Sequence, residues 1–270
     1  MLSMAGSLPK LAMPMVLQMF ILTIVSTRSN LEGVTFQVAN SSHYDQVHQL
    51  LEEDFFPDEP FARSLGSSPD KYYVVWLWIE LSLRSRESVV VALDKAGDVI
   101  GVNLGTDMPE AVHDDRSVSL GDWYYQTQMW LLMHLHNLLG PLTPSYLGQD
   151  ACHAVFEKAV EILGYHPDKL MAALNCKKLY TVELLGVSRK ARGKGLGTQL
   201  VREGEKLARA RGCECARVSA TSIYSARIFR KLGWSETGRI LYEEFTDQDG
   251  EVLVKNTGEH TEWVTFSKEL

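Results

Sequence analysis

A glycine-rich turn set between an apolar run and a charged helical pattern constrains this chain more than any other feature. Leu179-Tyr180-Thr181-Val182-Glu183-Leu184-Leu185-Gly186-Val187 reads as a strand, and Arg192-Gly193-Lys194-Gly195-Leu196-Gly197-Thr198 opens the helix that follows. The first turn of a helix carries backbone N–H groups without intrahelical partners, and the macrodipole adds partial positive charge there. Glycines let that backbone approach an anion closely and adopt φ > 0 where the turn requires it. Arg189, Lys190, Arg192 and Lys194 add four cations within six residues. Such a nest suits the pyrophosphate of an adenine nucleotide or of coenzyme A. The P-loop string G-x-x-x-x-G-K-[ST] is absent, and the spacing G-x-G-x-G departs from the dinucleotide fingerprint. A basic surface loop before a helix stands beside the phosphate reading.

Composition narrows the classes. The 270 residues are 45% hydrophobic and 23% charged, as in a globular chain with a full core. A net charge of −7 argues against nucleic acid as a partner and suits a cationic substrate. Four cysteines, with Cys213 and Cys215 two apart on an expected strand, form neither a disulfide framework nor a zinc motif. Period-two alternation places Cys213 and Cys215 on one strand face as small buried hydrophobes, Cys152 and Cys176 stand alone, and a reducing compartment, hence a cytoplasmic location, is expected. Leu11 to Ser26 is apolar between Lys10 and Arg28, but Pro14 and Gln18 interrupt it and it is short for a membrane span. Residues 1–30 are read as an apolar extension outside the fold; a secretory leader or membrane anchor is the alternative.

The folded part, 31–270, reads as one α+β domain. Val34–Val38 alternates as a strand, Asn40-Ser41-Ser42 offers caps, and Val47, Leu50 and Leu51 mark a helix from Tyr44 to Phe55. Asp58-Glu59-Pro60 then breaks the pattern. Lys71–Leu83 is expected as a buried helix, and Ser88–Leu93 with Val99–Gly105 as a hairpin across Asp94–Asp98. Residues 108–175 are expected to form a helical insertion, with helices at Trp123–Leu139 and Ala151–Leu163. His134 and His136 lie two apart, a spacing that does not share a helix face, so no metal is expected. After the glycine turn, Leu196, Leu200, Val201, Leu207 and Ala208 form an apolar stripe, while Arg202, Glu203, Glu205, Lys206 and Arg209 are expected to face water. A strand at Cys213–Ser219, a helix at Ser222–Leu232, and strands at Trp234–Phe245 and Trp263–Ser267 complete the chain.

Arg192-x-x-Gly195-x-Gly197 resembles the [QR]-x-x-G-x-[GA] signature of the GNAT acetyltransferase superfamily. Ser219 to Trp234, a helix closing on Lys231-Leu232-Gly233-Trp234, is similar to that superfamily's last motif. The Tyr224-Ser225-Ala226-Arg227 run and the Asp58-Glu59-Pro60 triplet resemble the insect arylalkylamine N-acetyltransferases, the dopamine-type group. The resemblance implies a GNAT-type fold: a mixed, mostly antiparallel twisted sheet of six to seven strands flanked by helices.

It also implies acetyl-CoA as co-substrate, with Arg192, Gly193, Lys194, Gly195, Leu196, Gly197, Thr198 and Ser222 around it, and Leu185, Gly186 and Val187 as the strand edge along its pantetheine arm. Direct transfer to an amine needs a base, because a free alkylamine has a pKa of about 10. Glu59 is that candidate, with Phe55, Phe56 and Pro57 to desolvate it; a helix-capping role for Asp58 and Glu59 stands beside this. Backbone N–H groups near Leu185–Val187 are candidates to stabilise the oxyanion. Thr221 and Ser225 occupy positions where the insect group has serines, and Phe229 stands where many members carry a tyrosine. Ile223 replaces a histidine found in some relatives. Trp76, Trp123 and Trp130 are candidate walls of an aromatic amine pocket. A small, arylalkylamine-type substrate is expected; a polyamine or amino-acid acetyltransferase, or an acyl-CoA-binding sensor without turnover, are the alternatives.

Overall fold

The computed structural model describes residues 31–64, 79, 83, 88–109, 167–246 and 249–270. Among these residues seven strands form one mixed sheet: β1 (Thr35–Val38), β2 (Val89–Leu93), β3 (Val99–Pro109), β4 (Lys178–Val187), β5 (Cys215–Ala220), β6 (Ser235–Leu241) and β7 (Glu262–Glu269). Their order is β1-β2-β3-β4-β5-β7-β6, with every pairing antiparallel except β4 beside β5. The expected α+β sheet is therefore present. The β2–β3 hairpin closes where expected, with Asp94 Oδ1 accepting the N–H groups of Ala96 and Asp98.

Both faces of the sheet are covered, which explains the unbroken apolar runs in β2 and β4. On one face, α1 (Tyr44–Leu50) lays Val47 and Leu50 against Val89, Val91, Val102 and Leu104. Helical Ile79 and Leu83 are buried in the same cluster. The other face receives Leu196, Leu200 and Val201 of α4 (Leu196–Ala210), and Ala226 and Phe229 of α5 (Ile223–Lys231). Asn40 starts the first helical segment, its side chain accepting the Ser42 N–H at 3.0 Å. Beyond α1, Leu51–Phe55 widens into a π turn, closed by the Phe56 N–H on Leu51 O, and α2 (Pro60–Ser64) follows. Gly212 (φ 80°) and Gly233 (φ 73°) follow the two C-terminal helices as left-handed stops.

A bulge shapes the centre of the sheet. Leu104 pairs with Leu184 and Gly105 with Val182, so Glu183 is an extra residue on β4. A bulged strand bends and twists more strongly. The parallel β4–β5 pairing ends at Val182 and Val218, one residue before the bulge, while β4 continues to Val187. The two strands part there and open a fork. Gly105 is required just beside it, because a Cβ would lie 2.2 Å from the Tyr180 ring.

Four expectations are corrected. Glu203 and Glu205 are buried, not solvated. Glu205 Oε1 accepts from Trp234 Nε1 (2.8 Å) and Lys268 Nζ (2.9 Å), partners of the kind that burial of a charge demands; Glu203 Oε1 accepts from Lys206 Nζ (2.7 Å), while its Oε2 is buried without a hydrogen-bond partner among the described residues. The cysteines are not all isolated: Cys176 and Cys215 form a disulfide with a Cα–Cα distance of 6.2 Å. Cys213 precedes β5 and packs in a different cluster from Cys215, because strand alternation does not extend back to it. Thiol isolation is thus no reason to assign a reducing compartment. Finally, β6 stops at Leu241, and Tyr242–Glu244 form a 3-10 turn in place of a strand through Phe245.

Of the expected insertion, α3 (Pro167–Ala173) is described. Residues 1–30, the helices expected at Trp123–Leu139 and Ala151–Leu163, His134, His136, Trp76, Trp123 and Trp130 lie outside the described residues. No described helix is long and apolar enough to cross a membrane.

The disulfide joins the chain before β4 to the first residue of β5, at the closed end of the fork. Cys176→Ser is expected to lower unfolding free energy by about 2–4 kcal/mol in urea without reductant. An unchanged midpoint would mean that the two sulfurs are not bonded in solution.

Candidate active site

A cavity of about 850 Å³ occupies the fork, and its wall brings together residues more than a hundred positions apart. It is lined by Glu59 and Pro60, by Val182 to Leu185 and Val187 of β4, by the glycine turn, and by Ser219 to Ser222 with the start of α5.

The open edge of β4 follows from register. The Ser188 N–H donates to Ile100 O, and Gly186 pairs with Val102 two residues earlier. Backbone direction alternates along an antiparallel strand. Gly186 therefore faces β3, while Leu185 and Val187 face the side that β5 has left. This corrects the expectation that all three residues present N–H groups to the fork. A Cβ on Gly186 would lie 3.1 Å from Leu50 Cδ2, so its role here is to admit helix packing.

The glycine turn forms as the sequence suggests. Gly193 (φ 76°) and Gly195 (φ 82°) adopt left-handed conformations, and Gly195 is the N-cap of α4. No side chain caps this helix among the described residues, and its first turn contains no acid. Its N–H groups are thus left to the cavity. Gly197 permits close packing: a Cβ there would lie 2.9 Å from Ile228 Cδ1. Lys194 turns its ammonium to Lys190 O at 3.3 Å and is not part of the cavity wall, contrary to expectation.

Arg192 joins this turn to the acidic segment across the fork. Its guanidinium donates to Val187 O (3.1 Å), to Asp58 Oδ2 (2.6 Å) and to Asp54 O. Arg189 adds a two-pronged pair to Asp58, at 3.0 and 3.1 Å. The Arg189 hydrogen bonds, followed by those of Arg192, hold the Asp58 carboxyl below its ordinary pKa. Asp58 is therefore a clamp, ionised and occupied.

Glu59 differs from its neighbour in every respect. It lies at the N-terminus of α2, its Oε2 accepting the Ala62 N–H at 2.6 Å. The Phe61 N–H and the Thr221 side chain also donate to it. Burial of the carboxylate pushes its pKa up, outweighing these three bonds. The capping and cavity readings of Glu59 thus describe one geometry. Pro57 is exposed, so the enclosure comes largely from α2 and from the β5–α5 turn. Tyr242, whose hydroxyl donates to Thr221 O, is buried beside this group; burial and then the Glu59 charge raise its pKa.

The hydroxyls at the start of α5 are internally engaged. Ser222 is the N-cap, accepting the Ser225 N–H at 3.1 Å, and Ser225 Oγ donates to Ser222 O at 2.9 Å. Phe229 is fully buried against Trp234 and Phe266, so its position offers the cavity no proton donor.

The cavity wall also includes residues without a local motif, notably Glu259 and His260. His260 Nδ1 accepts the Ile223 N–H at 3.3 Å, and its ring stands edge-on to Tyr224 at 5.6 Å. Burial lowers its pKa, favouring the neutral imidazole. Only the long β6–β7 connection brings it there. Arg227 and Lys231 are likewise on the wall; their helical spacing was legible, their cavity face was not.

Residues 149–234 match the model of the Acetyltransferase (GNAT) family. The structure is similar to arylalkylamine N-acetyltransferase 2 from Aedes aegypti, with TM-score 0.68 and 21% identity over 88% of this chain and 99% of that one. It is also similar to the Drosophila melanogaster polyamine N-acetyltransferase that forms N-acetylagmatine, with TM-score 0.64 and 16% identity over 88% and 100%. These likenesses are of fold.

The left-handed φ of Gly195 sets a test of the turn. Gly195→Val should still unfold cooperatively, at a stability lower by about 1–3 kcal/mol for the strained backbone. It should also weaken coenzyme A binding at least about ten-fold, because a side chain enters the anion's approach. Wild-type affinity by calorimetry would remove this turn from the site.

Proposed function

We propose that this chain, which has the GNAT fold and matches the family model over residues 149–234, transfers the acetyl group of acetyl-CoA to the primary amine of a small molecule, with Glu59 as base. The observation that carries this reading is the Glu59 carboxylate: desolvated, on the cavity wall, and across the fork from an uncapped helix N-terminus. The residues present fit coenzyme A. The turn at Gly193–Gly197 offers main-chain N–H groups to a pyrophosphate, and the outward edge at Leu185 and Val187 offers backbone groups to an amide-bearing arm. Bound acetyl-CoA supplies the activated acetyl group.

The residues then divide the work by environment. Asp58 remains ionised in its arginine clamp and fixes the segment, while Glu59, raised in pKa, takes the amine proton directly or through water. The Leu185 N–H is the candidate donor to the developing oxyanion. Thr221 holds the Glu59 carboxylate, a positioning role, and Ser222 with Ser225 organises the helix start beside it.

Phe55 on the wall supports an arylalkylamine as substrate. Glu183 and Glu259 on the same wall favour a second reading, a di- or polyamine whose distal cation meets a carboxylate. Rates with phenethylamine and tryptamine against putrescine and agmatine separate the two. Acetyl-CoA binding without turnover of any amine would indicate a sensor.

Glu59→Gln should reduce turnover at pH 7 by about 10²–10⁴-fold. Wild-type kcat/KM should rise with pH along a limb above the ordinary glutamate value of about 4.3, since the base works only when ionised and burial raises its pKa. That limb should vanish in the variant, whose rate recovers as the amine itself loses its proton. The sign for stability is opposite to that of a salt-bridged acid. A carboxyl raised on folding contributes stability below its unfolded pKa and loses it as pH rises through the folded value. At pH 7 the glutamine variant should therefore be at least as stable as wild type. Normal turnover with a lowered melting temperature would make Glu59 purely a cap.

A further inference from the structure

Two cations on the cavity wall are not explained by the phosphate-binding turn. Arg227 and Lys231 lie one helical turn apart on α5 and share their cavity-facing side with Tyr224 and Ile228. Ile228 is the residue packed at Gly197, so this face abuts the first turn of α4. Among the described residues neither cation meets a carboxylate. Arg230, on another side of the same helix, is held by Glu236 at 2.6 Å and Glu262 at 3.1 Å. Glu259, on the same wall, accepts from the Tyr224 hydroxyl and, among the described residues, forms no ion pair with Arg227 or Lys231. The Arg227 guanidinium lies 6.0 Å from the centre of the Tyr224 ring, which is also on the cavity wall.

The direction of α5 indicates which anion they meet. Its N-cap, Ser222, adjoins Thr221, whose side chain binds Glu59. Lys231 is the last residue of the helix, about 13 Å further along at 1.5 Å per residue. The wall thus runs from the proton acceptor, past the α4 turn, to a pair of uncompensated cations. Coenzyme A has the same order: thioester, pyrophosphate, then the 3′-phosphate of the ribose. A phosphomonoester brings a charge of about −1.5 to −2 and three acceptor oxygens, which main-chain N–H groups already committed to the pyrophosphate do not neutralise. We propose that Arg227 and Lys231 bind the 3′-phosphate and make this protein select coenzyme A over 3′-dephospho-coenzyme A. This rests on the acetyl-CoA reading of the cavity.

The test is calorimetric titration of wild type and of the Arg227→Ala/Lys231→Ala variant with coenzyme A and with 3′-dephospho-coenzyme A. Both side chains are exposed, so the variant should melt like wild type. Wild type should prefer coenzyme A by about ten-fold or more, the size expected of hydrogen bonds between charged groups. The variant should lose that preference, its affinity for the dephospho form staying within about two-fold of wild type. Equal wild-type affinity for the two ligands would overturn the proposal. An equal loss for both ligands in the variant would also overturn it, assigning the cations to the pyrophosphate. If neither ligand binds wild type, the acetyl-CoA reading fails and takes this proposal with it.

Discussion

The parting of β4 from β5 is the constraint on which the site depends. Parallel pairing lasts from Leu179 to Val182 and ends as Glu183 bulges out of register with β3. A sheet with full pairing would consume the backbone groups of Leu185 and Val187 and leave no space between the strands. The bulge provides both an open edge and a cavity. It also sets the cost, because strands that diverge must be held by something else. The Cys176–Cys215 disulfide closes one end of the pair, and α4 and α5 pack across it through Val201, Ala226 and Phe229.

The open end is spanned by charge. Arg192 binds Val187 O on the strand, and Asp58 and the Asp54 carbonyl on the opposite segment. One side chain therefore couples the glycine turn to the position of Glu59. Surface ion pairs contribute little to stability individually, and the more important effect here is geometric. The adjacent acids separate by environment: Asp58 is held low by two guanidinium groups, and Glu59 is pushed up by burial. Two neighbouring carboxylates thus stand in opposite environments, one clamped as an anion and the other desolvated on the cavity wall.

Much of this was legible in one dimension because it is local. The strand–glycine–helix order predicts the turn at Gly193–Gly197, since left-handed φ and an uncapped first turn are properties of a few consecutive residues. The stripe of Leu200, Val201, Leu207 and Ala208 predicts the buried face of α4 for the same reason, as do Gly212 and Gly233 for the helix ends. Glu203 and Glu205 mark where that logic stops. Helical spacing assigns them to the polar side, but Trp234 and Lys268 approach from distant strands and turn that side into an interior.

The sequence by itself determined most of the described elements, the left-handed glycine turn and the candidacy of Glu59, because each is written in residues close together. Only the tertiary structure decided what Glu59 meets: the Thr221 side chain arrives from 162 positions away, on the turn after β5. It also decided that Leu185 and Val187, and not Gly186, face the fork, since the register of β3 fixes the direction of each peptide. His260, the Cys176–Cys215 bond and the cavity face of α5 came from the same source. Their contacts form between segments that share no local pattern, and only the closed sheet brings them within reach.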